Sequence, residues 1–236
     1  MSFCSTTQEK FVTLPSALIF DMDGLLVDSE PRSDLAMEQF LGRRMLDLDP
    51  ELMPLLLGRR LPEAMVIVKD WFGLDDDVAE ITVEFSELRL AALQEYLPVM
   101  PGARELVAWG RKQRIPMALA TSSRRAHADI AIETAGLTGL FDAEATGDEV
   151  ERGKPEPDLF LLAASRLGVS PAGALVFEDA PAGVAAAKAA GMQVVWIPND
   201  HSRDLEMTVK PDHQFASLIE AREWLDTERS ALLAGR

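Results

Sequence analysis

The stretch Ala17-Leu18-Ile19-Phe20-Asp21-Met22-Asp23-Gly24-Leu25-Leu26-Val27-Asp28-Ser29 decides the fold. Four apolar residues run straight into two carboxylates spaced i, i+2, and a glycine follows. An apolar run of that length bounded by turn residues reads as a strand buried on both faces. In open α/β sheets the reactive groups sit beyond the carboxyl ends of such strands, and Asp21 and Asp23 lie at such an end. Gly24 predicts a sharp bend of the backbone directly after Asp23. Two carboxylates held close repel, so the pair needs a cation or a shared proton unless it merely ends a strand in solvent.

Downstream, Asp28-Ser29-Glu30-Pro31 has the chemistry of a helix start, with a side-chain cap, an acid and a first-turn proline. From there to residue 97 the pattern is helical: Met37, Phe40 and Leu41 share a face, then Leu61, Met65, Val68 and Phe72, then Val78, Ile81, Phe85, Leu88 and Ala92. Asp75-Asp76-Asp77 reads as a solvated helix start rather than a metal site. After residue 100 the pattern alternates. Strands are expected at 116–120, 141–146, 174–177 and 193–197, and helices at 124–135, 156–167 and 182–190. The fold class is therefore α/β, a parallel sheet with helices on both faces, interrupted early by an all-helical insert. The expected division is a core of residues 1–30 and 99–236 and an insert of residues 31–98, with prolines at both junctions.

Three more groups fall at strand ends or loops. Thr121-Ser122 offers a hydroxyl and a backbone N–H before a helix, which makes either an anion seat or a plain N-cap. Gly153-Lys154-Pro155-Glu156-Pro157-Asp158 fixes one lysine in a stiff loop. Glu178-Asp179 are adjacent acids after an apolar run, which is costly unless a cation meets them. In the insert, Gly58-Arg59-Arg60 either faces the cleft or is a solvated pair. His127, His201 and His213 are expected on a helix and in the C-terminal region, away from the strand ends, which disfavours a Ser-His-Asp triad.

Composition narrows the partners. The 236 residues carry a formal charge of -16, which disfavours nucleic-acid and anionic-membrane partners. No run approaches the about 18 apolar residues of a membrane span, and residues 1–14, read as a loose arm, lack a signal-peptide pattern. The single Cys4 rules out an internal disulfide and suits a reducing, cytoplasmic setting. A monomer is the expected state.

The run Asp21 to Ser29 resembles the first motif, DxDGxxxD[ST], of the haloacid-dehalogenase superfamily of phosphohydrolases. The likeness continues through Thr121-Ser122, Gly153-Lys154-Pro155-Glu156-Pro157-Asp158 and Glu178-Asp179-Ala180-Pro181-Ala182-Gly183 in the right order. It is strongest to the pseudouridine-5'-phosphatase and glycerol-3-phosphatase group within the β-phosphoglucomutase-like branch. The resemblance implies a Rossmann-like core under a helical cap that opens and closes, and a small phosphorylated substrate. It implies Asp21 as nucleophile and Asp23 as acid and base. It further implies Thr121 and the Ser122 N–H as phosphoryl holders, Lys154 as neutralising cation, and Asp179 as metal ligand. Glu178 is then a second ligand or a group behind it, and Arg59 and Arg60 are candidates for substrate choice. Oxygen ligands beside a phosphate suit Mg²⁺ better than zinc, with Asp21 and the Asp23 carbonyl joining Asp179. A mutase is the runner-up, but where the mutases have a cap-entry histidine this chain has Ser33, and a mutase cap-loop arginine aligns with Leu61. A non-catalytic module would be expected to have lost Asp21 or Lys154, and both are present.

Overall fold

The computed structural model describes residues 14–234, so nearly all of the expected N-terminal arm lies outside the described residues. Six parallel strands form one sheet in the order β3-β2-β1-β4-β5-β6. They are β1 (Ala17–Phe20), β2 (Met117–Thr121), β3 (Ala143–Thr146), β4 (Ala174–Glu178), β5 (Gln193–Trp196) and β6 (His213–Gln214). β1 pairs with β2 on one side, Ile19 against Ala118, and with β4 on the other, Ile19 against Val176. Alternation along the strands sends Leu18, Phe20, Leu119 and Phe177 into one apolar layer and Ile19, Ala118, Ala120 and Val176 into the other.

Helices cover both layers. α5 (Ala103–Gln113), α6 (Arg125–Thr134) and α9 (Leu218–Ala234) contribute to the first, and α7 (Asp158–Leu167) and α8 (Pro181–Ala189) to the second. Phe20 stacks on Phe177 with ring centroids 5.1 Å apart, which ties β1 to β4 through side chains as well as through the ladder.

Between β1 and α5 lie α1 (Glu30–Gly42), α2 (Met53–Leu56), α3 (Leu61–Phe72) and α4 (Val78–Glu95), which pack around an apolar cluster of their own that includes Met37, Phe40, Met65, Val68, Ile81 and Phe85. α4 does not stop at that cluster. Its Leu93, with Leu97 just beyond, joins the layer under the sheet. The chain enters and leaves this helical segment side by side, with Asp28 N–H donating to Pro98 O and Met100 N–H to Leu26 O, both at 2.9 Å.

Several expectations shift. β2 and β4 run one residue further than read, so Thr121 and Glu178 are the last residues of strands. β3 starts later than residue 141. Residues 193–197 read as the last strand, but the two-residue β6 pairs beyond β5 at the sheet edge, and α9 follows it. Ser29 does not cap α1 with its side chain, because its Oγ donates to Asp23 Oδ1 at 2.7 Å instead. Asp77 does cap α4, accepting from the N–H groups of Ala79 and Glu80, while Asp76 pairs with Arg44 at 2.7 Å.

The far edge of the sheet is held by charge. Glu149, just after β3, accepts from the Thr146 N–H at 2.9 Å and pairs with Arg166 on α7 and Arg125 on α6. The Arg166 hydrogen bonds lead in pulling its carboxyl down to about 2. A depressed acid stabilises the fold above its unfolded value, near 4.5, and loses that contribution as pH falls through about 2. Glu149→Gln is therefore expected to cost about 1 kcal/mol at neutral pH, discounted for the partial exposure of the pair. In denaturant melts the gap from the unchanged protein should close between pH 4.5 and about 2.

Candidate active site

The site forms at the carboxyl rim of β1, β2 and β4, and each strand end delivers a different group. β1 delivers Asp21, whose N–H donates to Phe177 O at 3.0 Å and continues the ladder one residue past the strand. Gly24 then takes φ +74°, and Gly24 N–H donates to Val27 O at 2.9 Å in a tight turn. No side chain fits there, since a Cβ on Gly24 would stand 2.4 Å from Asp179 Oδ2.

Lys154 is fully buried, with Nζ 2.8 Å from Asp21 Oδ1 and 2.5 Å from Glu178 Oε1. Glu178 is committed on its other oxygen too, which accepts the Ala180 N–H at 2.7 Å. Asp179 is held from outside by Asn199, whose Nδ2 donates to Asp179 Oδ2 at 2.8 Å and to Gly24 O at 3.1 Å. Asp179 Oδ1 is buried and accepts no hydrogen bond, while the equally buried Asp21 Oδ1 faces the Lys154 ammonium.

Three carboxylates thus face one ammonium. Carboxylate oxygens of Asp21, Glu178 and Asp179 lie within 4.8 Å of one another. Burial, first of all, raises the Asp21 carboxyl to about 7, although Lys154 pulls it back. Burial and the charges of Glu178 and Asp21 raise Asp179 as well. Lys154 moves the opposite way to an isolated buried lysine. Burial would lower it, but Asp21 and Glu178 more than offset that and hold it charged. A pocket with excess buried negative charge and an orphaned carboxylate oxygen on Asp179 fits a hard divalent cation.

Asp23 sits in a different environment. Its Oδ1 accepts from Ser29 Oγ at 2.7 Å and from Arg89 Nη2 at 2.8 Å, and its Oδ2 accepts from Ser123 Oγ at 2.7 Å. Burial would raise its pKa, but Arg89 and the two hydroxyls outweigh that and hold the carboxyl below the usual aspartate range. Two neighbouring aspartates are thereby pushed apart in acidity, the pattern that separates acid–base roles in one site. Thr121, at the end of β2, accepts the Ser123 N–H at 3.0 Å and donates to Asp23 Oδ2 at 3.3 Å.

The rim opens into a cavity of about 100 Å³ between the sheet and helices α1 to α4. Asp21, Asp23 and Asp179 line its polar floor, and Met37, Leu61, Met65 and Phe85 its apolar wall. Arg59 also lines it, as does Ser122, whose Oγ donates to Gly58 O at 2.8 Å. Arg60 does not; its guanidinium turns to the loop before Lys154. His127 corrects the sequence reading, because it lines this cavity rather than standing away from the strand ends. Its Nε2 lies 3.1 Å from Ser86 O, and burial lowers its pKa.

Sequence reasoning missed Arg89, Asn199 and Glu30. Arg89 lies four residues after Phe85 on the apolar face of α4, and a charge in that stripe was the available signal. Asn199 follows the end of β5, where the strand-end rule applies. Glu30 lines the cavity and is raised to about 7 by burial and then by the charge of Asp23.

Residues 15–191 match the family model described as haloacid dehalogenase-like hydrolase. The validoxylamine A 7'-phosphate phosphatase of Streptomyces hygroscopicus subsp. limoneus is 35% identical over 212 residues, 86% of this chain and 94% of that protein. (DL)-glycerol-3-phosphatase 2 of Arabidopsis thaliana is 37% identical over 218 residues, 88% of this chain and 90% of that protein. The crystal structure of CbbY from Rhodobacter sphaeroides in complex with phosphate superposes with a TM-score of 0.78 at 26% identity, covering 88% of this chain and 96% of the other. The chain belongs to the haloacid dehalogenase-like hydrolase family, within its phosphatases.

Proposed function

We propose that the chain is a Mg²⁺-dependent phosphatase that hydrolyses a small phosphate monoester of a sugar, nucleoside or polyol through an aspartyl-phosphate on Asp21. The observation that carries this reading is the buried Lys154 between Asp21 and Glu178, with an unpartnered oxygen on Asp179 beside it. Asp21, Asp179 and the Asp23 carbonyl would hold the cation, and Glu178, taken up by Lys154 and the Ala180 N–H, orients the lysine instead. When bound, Mg²⁺ supplies charge neutralisation for Asp21 and for the phosphoryl oxygens.

In the first step an Asp21 oxygen attacks phosphorus and the bond from phosphorus to the leaving oxygen breaks. Asp23, protonated, gives its proton to that oxygen. In the second step water attacks the phosphorus of the aspartyl-phosphate and Asp23 takes the water's proton. Inorganic phosphate leaves and Asp21 is restored. Lys154 offsets charge on the equatorial oxygens, and Thr121 Oγ with the Ser122 N–H fixes the phosphoryl group. Asp23 as it stands, paired with Arg89, is prepared for the second step; carrying a proton in the first requires that pair to loosen. Ser33, hydrogen-bonded to Arg89 Nε at 3.1 Å, fills the place where the resembled mutases use histidine, which supports hydrolysis over transfer to a second sugar position.

The helical segment of residues 31–98 acts in this reading as the lid, and the small cavity it closes favours a leaving group of few carbons. Every group in the scheme comes from one chain, so a monomer suffices. A phosphate-release screen with Mg²⁺ over glycerol 3-phosphate, ribose 5-phosphate, 2-deoxyglucose 6-phosphate and pseudouridine 5'-phosphate is expected to rank the smaller leaving groups first. Release from none of them contradicts the reading.

Asp21→Asn is expected to lower kcat by at least about 10³-fold with an unchanged circular dichroism spectrum. Retention of more than about a tenth of the activity would remove Asp21 as nucleophile. Arg89→Met is expected to move the Asp23 carboxyl titration, followed by ¹³C NMR, to higher pH, because the guanidinium that lowers it is gone.

A further inference from the structure

The start of α3 is bound to the loop that delivers Lys154. Arg60 Nη1 donates to Val150 O at 2.7 Å. Arg60 Nε and Nη2 donate to Glu63 Oε1 at 2.9 and 2.5 Å. The same Glu63 oxygen accepts the Gly153 N–H at 3.3 Å. Gly153, the residue before Lys154, has no room for a side chain, since a Cβ there would lie 2.7 Å from Glu63 Oε2 and 2.8 Å from Arg60 Cγ. Both side chains are largely screened from solvent, with 19% and 33% of their surface exposed, so these bonds are worth more than surface pairs. The cavity is lined by Arg59 and Leu61 on either side of Arg60, but not by Arg60 itself.

We propose that Arg60 and Glu63 form a clasp that couples closure of the helical segment to the placement of Lys154. Resting on the phosphatase reading above, this makes both of them positioning residues rather than substrate ligands. The physical reason is local. A glycine cannot anchor its own loop through a side chain, and the Lys154 ammonium must stand at Asp21 when charge develops on the phosphoryl oxygens. A carbonyl and an N–H on either side of residues 151 and 152 are fixed by an arginine–carboxylate pair from the other part of the chain, in which Glu63 Oε1 takes two guanidinium N–H groups and the Gly153 N–H. With the segment swung away, Val150 O and Gly153 N–H would face water and the loop would lose two of its restraints.

The test uses the full chain with Mg²⁺ and the variants Arg60→Ala, Arg60→Lys, Glu63→Gln and the Arg60→Ala/Glu63→Gln double. Hydrogen exchange of residues 147–156 is the readout that does not depend on turnover, and it is expected to speed up at least about tenfold in Arg60→Ala and Glu63→Gln. For turnover, Arg60→Ala and Glu63→Gln are each expected to lower kcat about tenfold and by the same factor for glycerol 3-phosphate and ribose 5-phosphate. The double variant should lose no more than the worse single, because the pair acts as one unit. Arg60→Lys should recover only part of the rate, since an ammonium cannot bridge both partners. Unchanged exchange in the loop, a loss that differs tenfold between the two leaving groups, or a lowered melting temperature with kcat intact would each overturn the clasp. Absence of phosphate release from the unchanged protein would instead count against the phosphatase reading, and the exchange result would still decide the clasp.

Discussion

A lysine with no exposed surface, set among three carboxylates, is the interaction on which the rest of the site depends. Removing an ammonium from water costs several kcal/mol, and only close, well-placed opposite charge offsets it. Asp21 and Glu178 supply that charge from the ends of adjacent strands, and the Phe160 ring lies 5.0 Å from Nζ on α7. The arrangement overshoots, because one positive charge meets three acids. Burial first, and then that surplus, pushes Asp21 and Asp179 up in pKa, and Asp179 Oδ1 is left without a partner. A folded chain tolerates such a pocket when something else cationic belongs in it.

The sheet order makes the cluster possible. β1 lies between β2 and β4, so the first aspartate, the Thr121 hydroxyl and the second acidic pair arrive at one rim although 158 positions separate Asp21 from Asp179. The ladder fixes their heights, with Phe20 opposite Leu119 on one side and Phe177 on the other. Above the rim, Arg89 reaches down from α4 to Asp23 and Ser123, and Arg60 reaches across to Val150. The helical segment therefore touches both Asp23 and the lysine loop, through Arg89 inside the cavity lining and through Arg60 outside it.

Much of this was legible in the sequence, for a reason that is physical. Buried parallel strands are short apolar runs, and chemistry follows where they end, so Asp21, Asp23, Thr121, Glu178 and Asp179 could be placed on one rim before any coordinates. Helical periodicity gave the faces around Phe40, Val68 and Phe85. What periodicity cannot give is the direction of a polar side chain that meets a partner far along the chain. Ser29 reads as a cap yet bonds to Asp23, and Glu30 reads as a first-turn acid yet lines the cavity. His127 sits on a helix whose start happens to face the rim. Arg59 and Arg60 are neighbours with opposite destinations, a distinction set by the N-cap conformation at Arg60 rather than by composition. β6 has two residues, too few for any periodic signal.

The most direct measurement of the central claim is Mg²⁺ binding to the substrate-free protein, followed by calorimetry and by thermal melting, in the unchanged chain and in Asp179→Asn. If the carboxylate cluster around Lys154 is a divalent-cation site, the unchanged protein binds one Mg²⁺ and melts at higher temperature with it, and Asp179→Asn keeps its fold but loses the shift. An equal shift in both proteins, or no binding by the unchanged chain at millimolar Mg²⁺, would contradict it.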